Sequence, residues 1–375
     1  LFLINLSTHD GPNIETKYLL VVGIKNETNC CNFLLQNLKI MDRIQNKSFL
    51  VTGGGNGLGL VFVQRFLQDG AKIVVIVDLE SKSIAVRVNE LEREFGKGRI
   101  VYLHCDVSNV QQMEETFAKI WNTLNGVDVV INNAGILNDW KWEQTIGVNV
   151  NGVVQGSLLA LKYMGKHNGG KGGTIVNISS IAGLDVYPTL PVYCSSKHAV
   201  LAFSRCLQEN FEKTGVRVLV LCPGVTRTSL IDDLEEKSLD LVDEKHFENF
   251  EDRNPKQSTE YVVKAMIKLL LKGPNGSVWV SEAQKPPYAV EFPPYRKVIA
   301  MIDIEEVAGK EAMNVLNAEF GRNRAVFFHC DVANNAEFDN TFKKAVKTLG
   351  GLEILVNNVG VINENDFGKA IDVNV

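Results

Sequence analysis

Ser48-Phe-Leu-Val-Thr-Gly-Gly-Gly-Asn-Gly-Leu-Gly-Leu-Val-Phe-Val-Gln-Arg-Phe-Leu67 is the stretch on which the fold turns. Ser48–Thr52 is a short apolar run of the kind that forms a buried strand, and Leu60–Leu67 carries apolar residues at helical spacing. Between them lie Gly53, Gly54, Gly55, Asn56, Gly57, Leu58 and Gly59. Strand, glycine loop and helix in this order make a cradle for a diphosphate. Glycines let the main chain approach the phosphates, and the helix N-terminus carries partial positive charge. A glycine cluster in isolation is only a flexible loop. In this setting it predicts a dinucleotide site.

Beyond the loop, Ile73–Val77 reads as a second buried strand ending at Asp78, with Leu79 beside it. A carboxylate about 20 residues past the glycines can accept hydrogen bonds from the adenosine ribose and repels a 2′-phosphate. The loop offers Asn56 rather than an Arg or Lys to pair with such a phosphate. NAD is therefore favoured over NADP. A helix at Ser83–Phe95, a strand at Ile100–His104, a helix at Val110–Leu124 and a strand at Val127–Ile131 continue the alternation. Further strands are expected at Thr174–Ile178, Val216–Leu221 and Ser277–Val280, and a helix at Tyr261–Leu271. The pattern predicts an α/β fold with a doubly wound parallel sheet.

Tyr193 and Lys197 are four residues apart, which on a helix puts them on one face. An ammonium there would stabilise a tyrosinate and bring a phenol with an ordinary pKa of about 10 toward the range of a general base. Ser180, thirteen residues earlier, could hold the same substrate oxygen. The Tyr-Lys spacing also arises by chance in helices, so its weight comes from the motifs ahead of it.

Thr52-Gly53-x-x-x-Gly57-x-Gly59, Asn132-Asn133-Ala134-Gly135, Ser180 and Tyr193-x-x-x-Lys197, in this order, resemble a classical short-chain dehydrogenase/reductase, a Rossmann-fold family. The resemblance implies that Asp106 and Val107 border the adenine and that Asn133, Ala134 and Gly135 run beside the ribose. It implies a catalytic Asn149 holding a water near Lys197, and nicotinamide contacts from Pro223, Val225 and Thr226, with Thr228 near the phosphates. Residues 229–260 are either a substrate-closing segment or a solvated acidic face. Pro191–His198 looks most like the NAD-dependent 15-hydroxyprostaglandin dehydrogenase group and its insect alcohol-dehydrogenase-like relatives. Three residues before the tyrosine, where that group carries a Gln, stands Leu190, which cannot bond a substrate hydroxyl. The implied reaction is oxidation of a secondary alcohol, or reduction of a ketone, with NAD. A homodimer through the helices at 151–164 and 193–211 is also implied. The alternative is a nucleotide-binding relative without catalysis, or a non-functional fused gene product.

A net charge of −5 over 375 residues gives no reason to expect nucleic acid or an anionic membrane as partner. The seven cysteines show no CxxC spacing, which suits reduced thiols and a cytoplasmic protein, and no metal site is read. Residues 1–44 carry no usable motif beyond a possible strand at Lys17–Ile24. The triplets Asn5-Leu-Ser7, Asn26-Glu-Thr28 and Asn46-Lys-Ser48 read as chance matches to a glycosylation signal. The start at Leu1 rather than Met suggests a fragment, or a translated sequence whose start is uncertain.

Residues 298–375 repeat residues 73–150 at a constant offset, with about a third of positions identical. Asp303 matches Asp78, His329-Cys-Asp-Val332 matches His104-Cys-Asp-Val107, Asn357-Asn358 matches Asn132-Asn133, and Val373-Asn-Val375 matches Val148-Asn-Val150. The expected organisation is an N-terminal extension (1–44), a catalytic domain (45–294) and a truncated second copy (295–375). That copy lacks a glycine loop and the Ser, Tyr and Lys of the site. It is expected neither to bind NAD nor to catalyse, and its strand Glu353–Val356 would lack its usual neighbour. A fused gene is the plainer origin, a regulatory domain the other.

Overall fold

The computed structural model describes residues 2–5, 18–21, 43–247, 250–292 and 299–349. Glu353–Val356, Asn357, Asn358 and Val373–Val375 lie outside the described residues, as do the triplet at Asn26 and most of that at Asn5. The chain divides into two units, Leu1–Val290 and Glu291–Val375.

In the first unit, β1 (Phe2–Asn5) and β2 (Tyr18–Val21) form an antiparallel pair. Then β3 (Ser48–Thr52), α1 (Gly57–Gln68), β4 (Ile73–Asp78), α2 (Lys82–Phe95), β5 (Ile100–His104), α3 (Val110–Leu124) and β6 (Val129–Asn132) alternate. Helix α4 (Trp142–Ile146) passes through a π-helical turn, Gly147–Asn151, into α5 (Gly152–Met164). After these come β7 (Gly173–Ile178), α6 (Pro191–Leu207), β8 (Val216–Pro223), α7 (Thr259–Lys272), β9 (Val278–Ser281) and β10 (Tyr288–Ala289).

The large sheet has the order β10-β9-β8-β7-β6-β3-β4-β5, parallel from β3 to β9, with β10 antiparallel on β9. Central strands such as β4, Ile-Val-Val-Ile-Val-Asp, are almost wholly buried because helices cover both faces. On one face Phe49, Phe62, Phe66 and Met266 join β3 to α1 and α7, with the Phe49 and Phe66 rings stacked at 4.3 Å. Leu50, Met113, Phe117 and Ile175 fill the other face under α3 and α5. Truncating a ring such as Phe66 to Ala would cost about 3–5 kcal/mol.

The polar residues expected at helix starts do their work locally. Ser81 accepts the N–H of Ile84 to open α2, and Asn109 accepts that of Gln112 to open α3. Each cap contributes about 1 kcal/mol. Strand order reverses between β3 and β6, which splays the loops after them and opens a crevice there.

The second unit contains β11 (Ile299–Asp303), α8 (Glu306–Phe320), β12 (Ala325–His329) and α9 (Asn335–Leu349). Its two strands are parallel.

Candidate active site

A cavity of about 590 Å³ lies at the C-terminal edge of the large sheet. Gly53, Asn56, Gly57, Leu58, Asp78, Leu79, Asp106, Val107, Asn133, Ala134, Gly135, Ser180, Tyr193, Lys197, Pro223, Val225, Thr226 and Thr228 all line it. Of the residues expected at the site, Gly59 and Asn149 stand behind the wall.

The glycine loop leaves β3 at Gly53, whose φ of +64° favours a residue without a Cβ. At Gly59 the constraint is proximity, since an added Cβ would sit 2.0 Å from the Gly53 carbonyl oxygen. Asn133 pins the loop by donating from Nδ2 to the carbonyls of Thr52 (3.0 Å) and Gly53 (3.2 Å). The Thr52 hydroxyl accepts the N–H groups of Asn133 (3.0 Å) and Ala134 (3.1 Å). Asp78 Oδ2 accepts the Gly55 N–H at 2.8 Å, and Oδ1 accepts that of Leu79 at 2.8 Å. Arg87, the nearby cation, is committed to the Gly55 carbonyl at 2.8 Å. Asp106 is held by Ser108 and Gln112. Thr228 closes the loop from the far side, near Gly57.

At the other end, α6 brings Tyr193 and Lys197 one turn apart, and both are buried. Lys197 Nζ donates to the Ile178 carbonyl at 3.1 Å and lies 5.6 Å from the centre of the Tyr193 ring. Ser180 leaves the end of β7 and accepts the Ala182 N–H at 3.1 Å. Ser179 donates to the Lys197 carbonyl at 2.8 Å and so braces α6 from below.

One expectation changes. The lysine was expected to lower the phenol's pKa, yet burial pushes Tyr193 up to about 12 against the pull of a hydrogen bond with Ser180. The same burial brings Lys197 down to about 8. Desolvation disfavours the charged form of each group. Asn149 sits in the π-helical turn. Its Oδ1 accepts the Ile136 N–H (2.9 Å), and its Nδ2 donates to the Ile136 carbonyl (2.9 Å) and to Ser196 Oγ (3.0 Å). The extra residue in a π turn rotates a side chain out of register. Here it ties Asn149 to the segment after Gly135 and to α6 together.

The substrate half of the cavity was largely invisible in the sequence. Leu137, Tyr187, Leu190, Leu230, Leu234 and Phe250 give it apolar walls, and Lys141 and Lys237 add cations. Residues 229–260 thus contribute directly, beyond forming an acidic surface. Asp139, also not anticipated, is wholly buried and bonds the start of α6. No spacing marks these residues, because they meet through loop paths rather than a periodic element.

The short chain dehydrogenase family pattern matches residues 47–239 and 295–375. The 15-hydroxyprostaglandin dehydrogenases [NAD(+)] of Rattus norvegicus and Homo sapiens are 39% and 37% identical to this chain, in each case over 52% of it and 73% of the relative. Fat body protein 2 of Drosophila melanogaster is 27% identical over 62% of this chain and 91% of its own. A short-chain type dehydrogenase/reductase structure from Mycobacterium ulcerans superposes with a TM-score of 0.53 at 26% identity, covering 63% of this chain and 88% of that one. One from Mycobacterium marinum gives 0.56 at 23% identity, over 65% and 97%.

Proposed function

The chain belongs to the short-chain dehydrogenase family, and on that premise we propose that Tyr193, Lys197, Ser180 and Asn149 interconvert a secondary alcohol and a ketone with NAD. The observation that carries this is a single cavity wall bearing the glycine loop, Asp78, Ser180, Tyr193 and Lys197. The residues present fit the dinucleotide. Gly53 and Gly59 leave room where a Cβ would collide with the main chain, and Asp78 presents a carboxylate at the adenosine end. When bound, NAD supplies the hydride acceptor.

The chain's own groups handle the proton and the alignment. Tyr193 Oη takes the hydroxyl proton of the alcohol, and Ser180 Oγ holds the same oxygen. The burial that raises the phenol's pKa also sets the task of Lys197. When protonated it stabilises the tyrosinate that Tyr193 must be before it takes the alcohol's proton and becomes a phenol, in a site where charge is poorly screened. Asn149 fixes the main chain after Gly135, between the base and the ribose end, and supports a proton path from Lys197. Leu137, Leu190, Leu230 and Leu234 exclude water and favour an apolar alcohol. The relatives' name makes a 15-hydroxyprostaglandin the first lipid to try. Leu190 supplies no hydrogen bond to its hydroxyl, so a less polar alcohol is the stronger expectation.

The reading extends to the organisation of the chain. Residues 45–294 form the catalytic domain, while 295–375, without a glycine loop at their start, neither bind NAD nor catalyse. Exposed Leu158 on α5 supports a homodimer through α5 and α6. Free Cys105, Cys194, Cys206, Cys222 and Cys330 support a cytoplasmic setting. Among the described residues no helix is long and apolar enough to cross a membrane. The test mixes purified protein with NAD and a panel of secondary alcohols and follows NADH absorbance. Turnover of at least one alcohol is expected, and NAD binding with no turnover across the panel would overturn the reading.

A further inference from the structure

Helix α6 begins without a cap of its own. Leu190 occupies the cap position and its side chain accepts no hydrogen bond, although the first N–H groups of any helix have no partner within it. The partner comes from a distant loop. Asp139, 0% exposed, accepts the Val192 N–H at 2.8 Å through Oδ2 and the Tyr193 N–H at 3.0 Å through Oδ1. The loop that presents it is itself fixed. Asn138 Oδ1 accepts the Lys141 N–H at 3.1 Å, and the buried Thr145 hydroxyl donates to the Asn138 carbonyl at 2.7 Å. In addition, the Asp139 N–H donates to the Lys237 carbonyl at 2.8 Å. Lys237 lies in the segment that walls the substrate half of the cavity.

We propose that Asp139 is a positioning residue that locks the main chain of Tyr193 to the wall of the substrate cleft, so that base and substrate wall keep one geometry. The proposal rests on Tyr193 being the base. One residue thereby serves two neighbours, with its carboxylate oxygens holding the catalytic helix and its main-chain N–H holding the cavity wall. Its negative charge also sits at the positive end of α6. Burial raises the Asp139 carboxyl pKa while the two main-chain bonds hold it down, so the bonds favour the carboxylate.

The test uses the full chain with Asp139→Asn, which keeps shape and one acceptor, and Asp139→Ala, which keeps neither. With 2-decanol as probe alcohol, kcat should fall about 10-fold in the Asn variant and about 100-fold in the Ala variant, the scale expected for misplacement of about 1 Å. NAD affinity and KM should move by less than about threefold, because the groups that bind are untouched. A second readout needs no substrate. The Tyr193 phenol, followed by ultraviolet absorbance as the difference from Tyr193→Phe in each background, should titrate at lower pH in Asp139→Asn. Losing the carboxylate leaves the positive end of α6 uncompensated beside the forming tyrosinate. A kcat equal to wild type, or a Tyr193 titration that does not move, overturns the proposal. If wild-type protein fails to oxidise 2-decanol, the assigned reaction fails for that alcohol, and the phenol titration still decides the role of Asp139.

Discussion

Strand β4 pairs with β5 from Val74–Ile100 to Asp78–His104, and β11 pairs with β12 from Ile299–Ala325 to Asp303–His329, in the same register 225 residues later. The likeness extends into the turns. Cys105 and Cys330 donate their N–H groups to the main-chain carbonyls of Asp78 and Asp303, at the ends of β4 and β11, at 3.0 Å in both. The N–H of Asp106 goes to the side chain of Gln112 and that of Asp331 to Glu337. Gly96 and Gly321 both take positive φ, at 95° and 103°, to end the equivalent helices α2 and α8. The outer strands even share one burial pattern. What differs is the inner strand. Val74 is 0% exposed while its counterpart Ile299 is 57% exposed, because β4 has β3 on its other edge and β11 has no such neighbour among the described residues. Asp78 accordingly meets the Gly55 N–H, while the Asp303 carboxylate accepts the Glu305 N–H two residues on. The β-α-β-α module carries its own turns and register. The nucleotide cleft comes from the strand and glycine loop laid beside it.

The comparison is broken most directly at the residue that only the first region is completed by. Tyr193→Phe should lower kcat by about 1,000-fold or more, at the upper part of the range for removing a general acid or base. NAD affinity, measured by fluorescence titration, should stay near wild type. Residual turnover close to wild type would mean that another group carries the proton.

A paired substitution sharpens the contrast at equivalent positions. Asp78→Ser removes a carboxylate that favours ribose hydroxyls and repels a 2′-phosphate, and should weaken NAD by about 10- to 100-fold, the value of one or two charge-assisted hydrogen bonds. NADP should gain relative to NAD. Asp303→Ser should leave both affinities unchanged. An equal effect from the two substitutions, read by titration with each nucleotide, would show that the second region takes part in binding.

Much of this division was legible in the sequence. Glycines between an apolar strand and a periodic helix have few other uses, and continuous runs such as Ile73–Val77 announce strands covered on both faces. The constant offset disclosed the repeat. Asn149 was found as a position but not as a geometry, since nothing in Gly-Val-Asn-Val-Asn signals a π turn. Asp139 and wall residues such as Leu137 and Tyr187 are not marked in the sequence because loop closure brings them to the site. The direction of the Tyr193 shift was misjudged for a similar reason. A sequence shows the neighbouring ammonium, whereas the depth of burial that outweighs it belongs to the folded state.

Burial of Lys197 gives the active site a cost in stability. Lys197 titrates near 8 when folded and near 10.5 as an ordinary lysine, so between these values the unfolded chain binds more protons. Stability should therefore rise from about pH 8 toward pH 10. Tyr193, raised to about 12 from 10, has the opposite effect, because above pH 10 the folded state holds the extra proton and stability falls. Lys197→Met should flatten the rise and stabilise the first unit at pH 7 by up to about 3 kcal/mol. Denaturant melts at pH 7 and pH 9.5 would check this, and an unchanged pH slope in the variant would sink it.

The smallest expected effect is the removal of the second region itself. Among the described residues, those lining the cavity fall between Gly53 and Phe250, and the cores that support the large sheet are drawn from Ile44 to Val280. A chain ending at residue 294 should therefore keep its kcat and NAD affinity within about twofold, since a unit with its own core keeps its geometry. In the intact protein, the amides of β11 should exchange hydrogen faster than those of β4, because an inner strand half open to solvent opens more readily than one buried on both sides. The two measurements constrain each other. If shortening the chain lowers kcat while β11 is as protected as β4, the exposed face of β11 is covered in solution and the second region supports the first. If kcat holds and β11 exchanges freely, the module has kept its register without the strand that gave it a function.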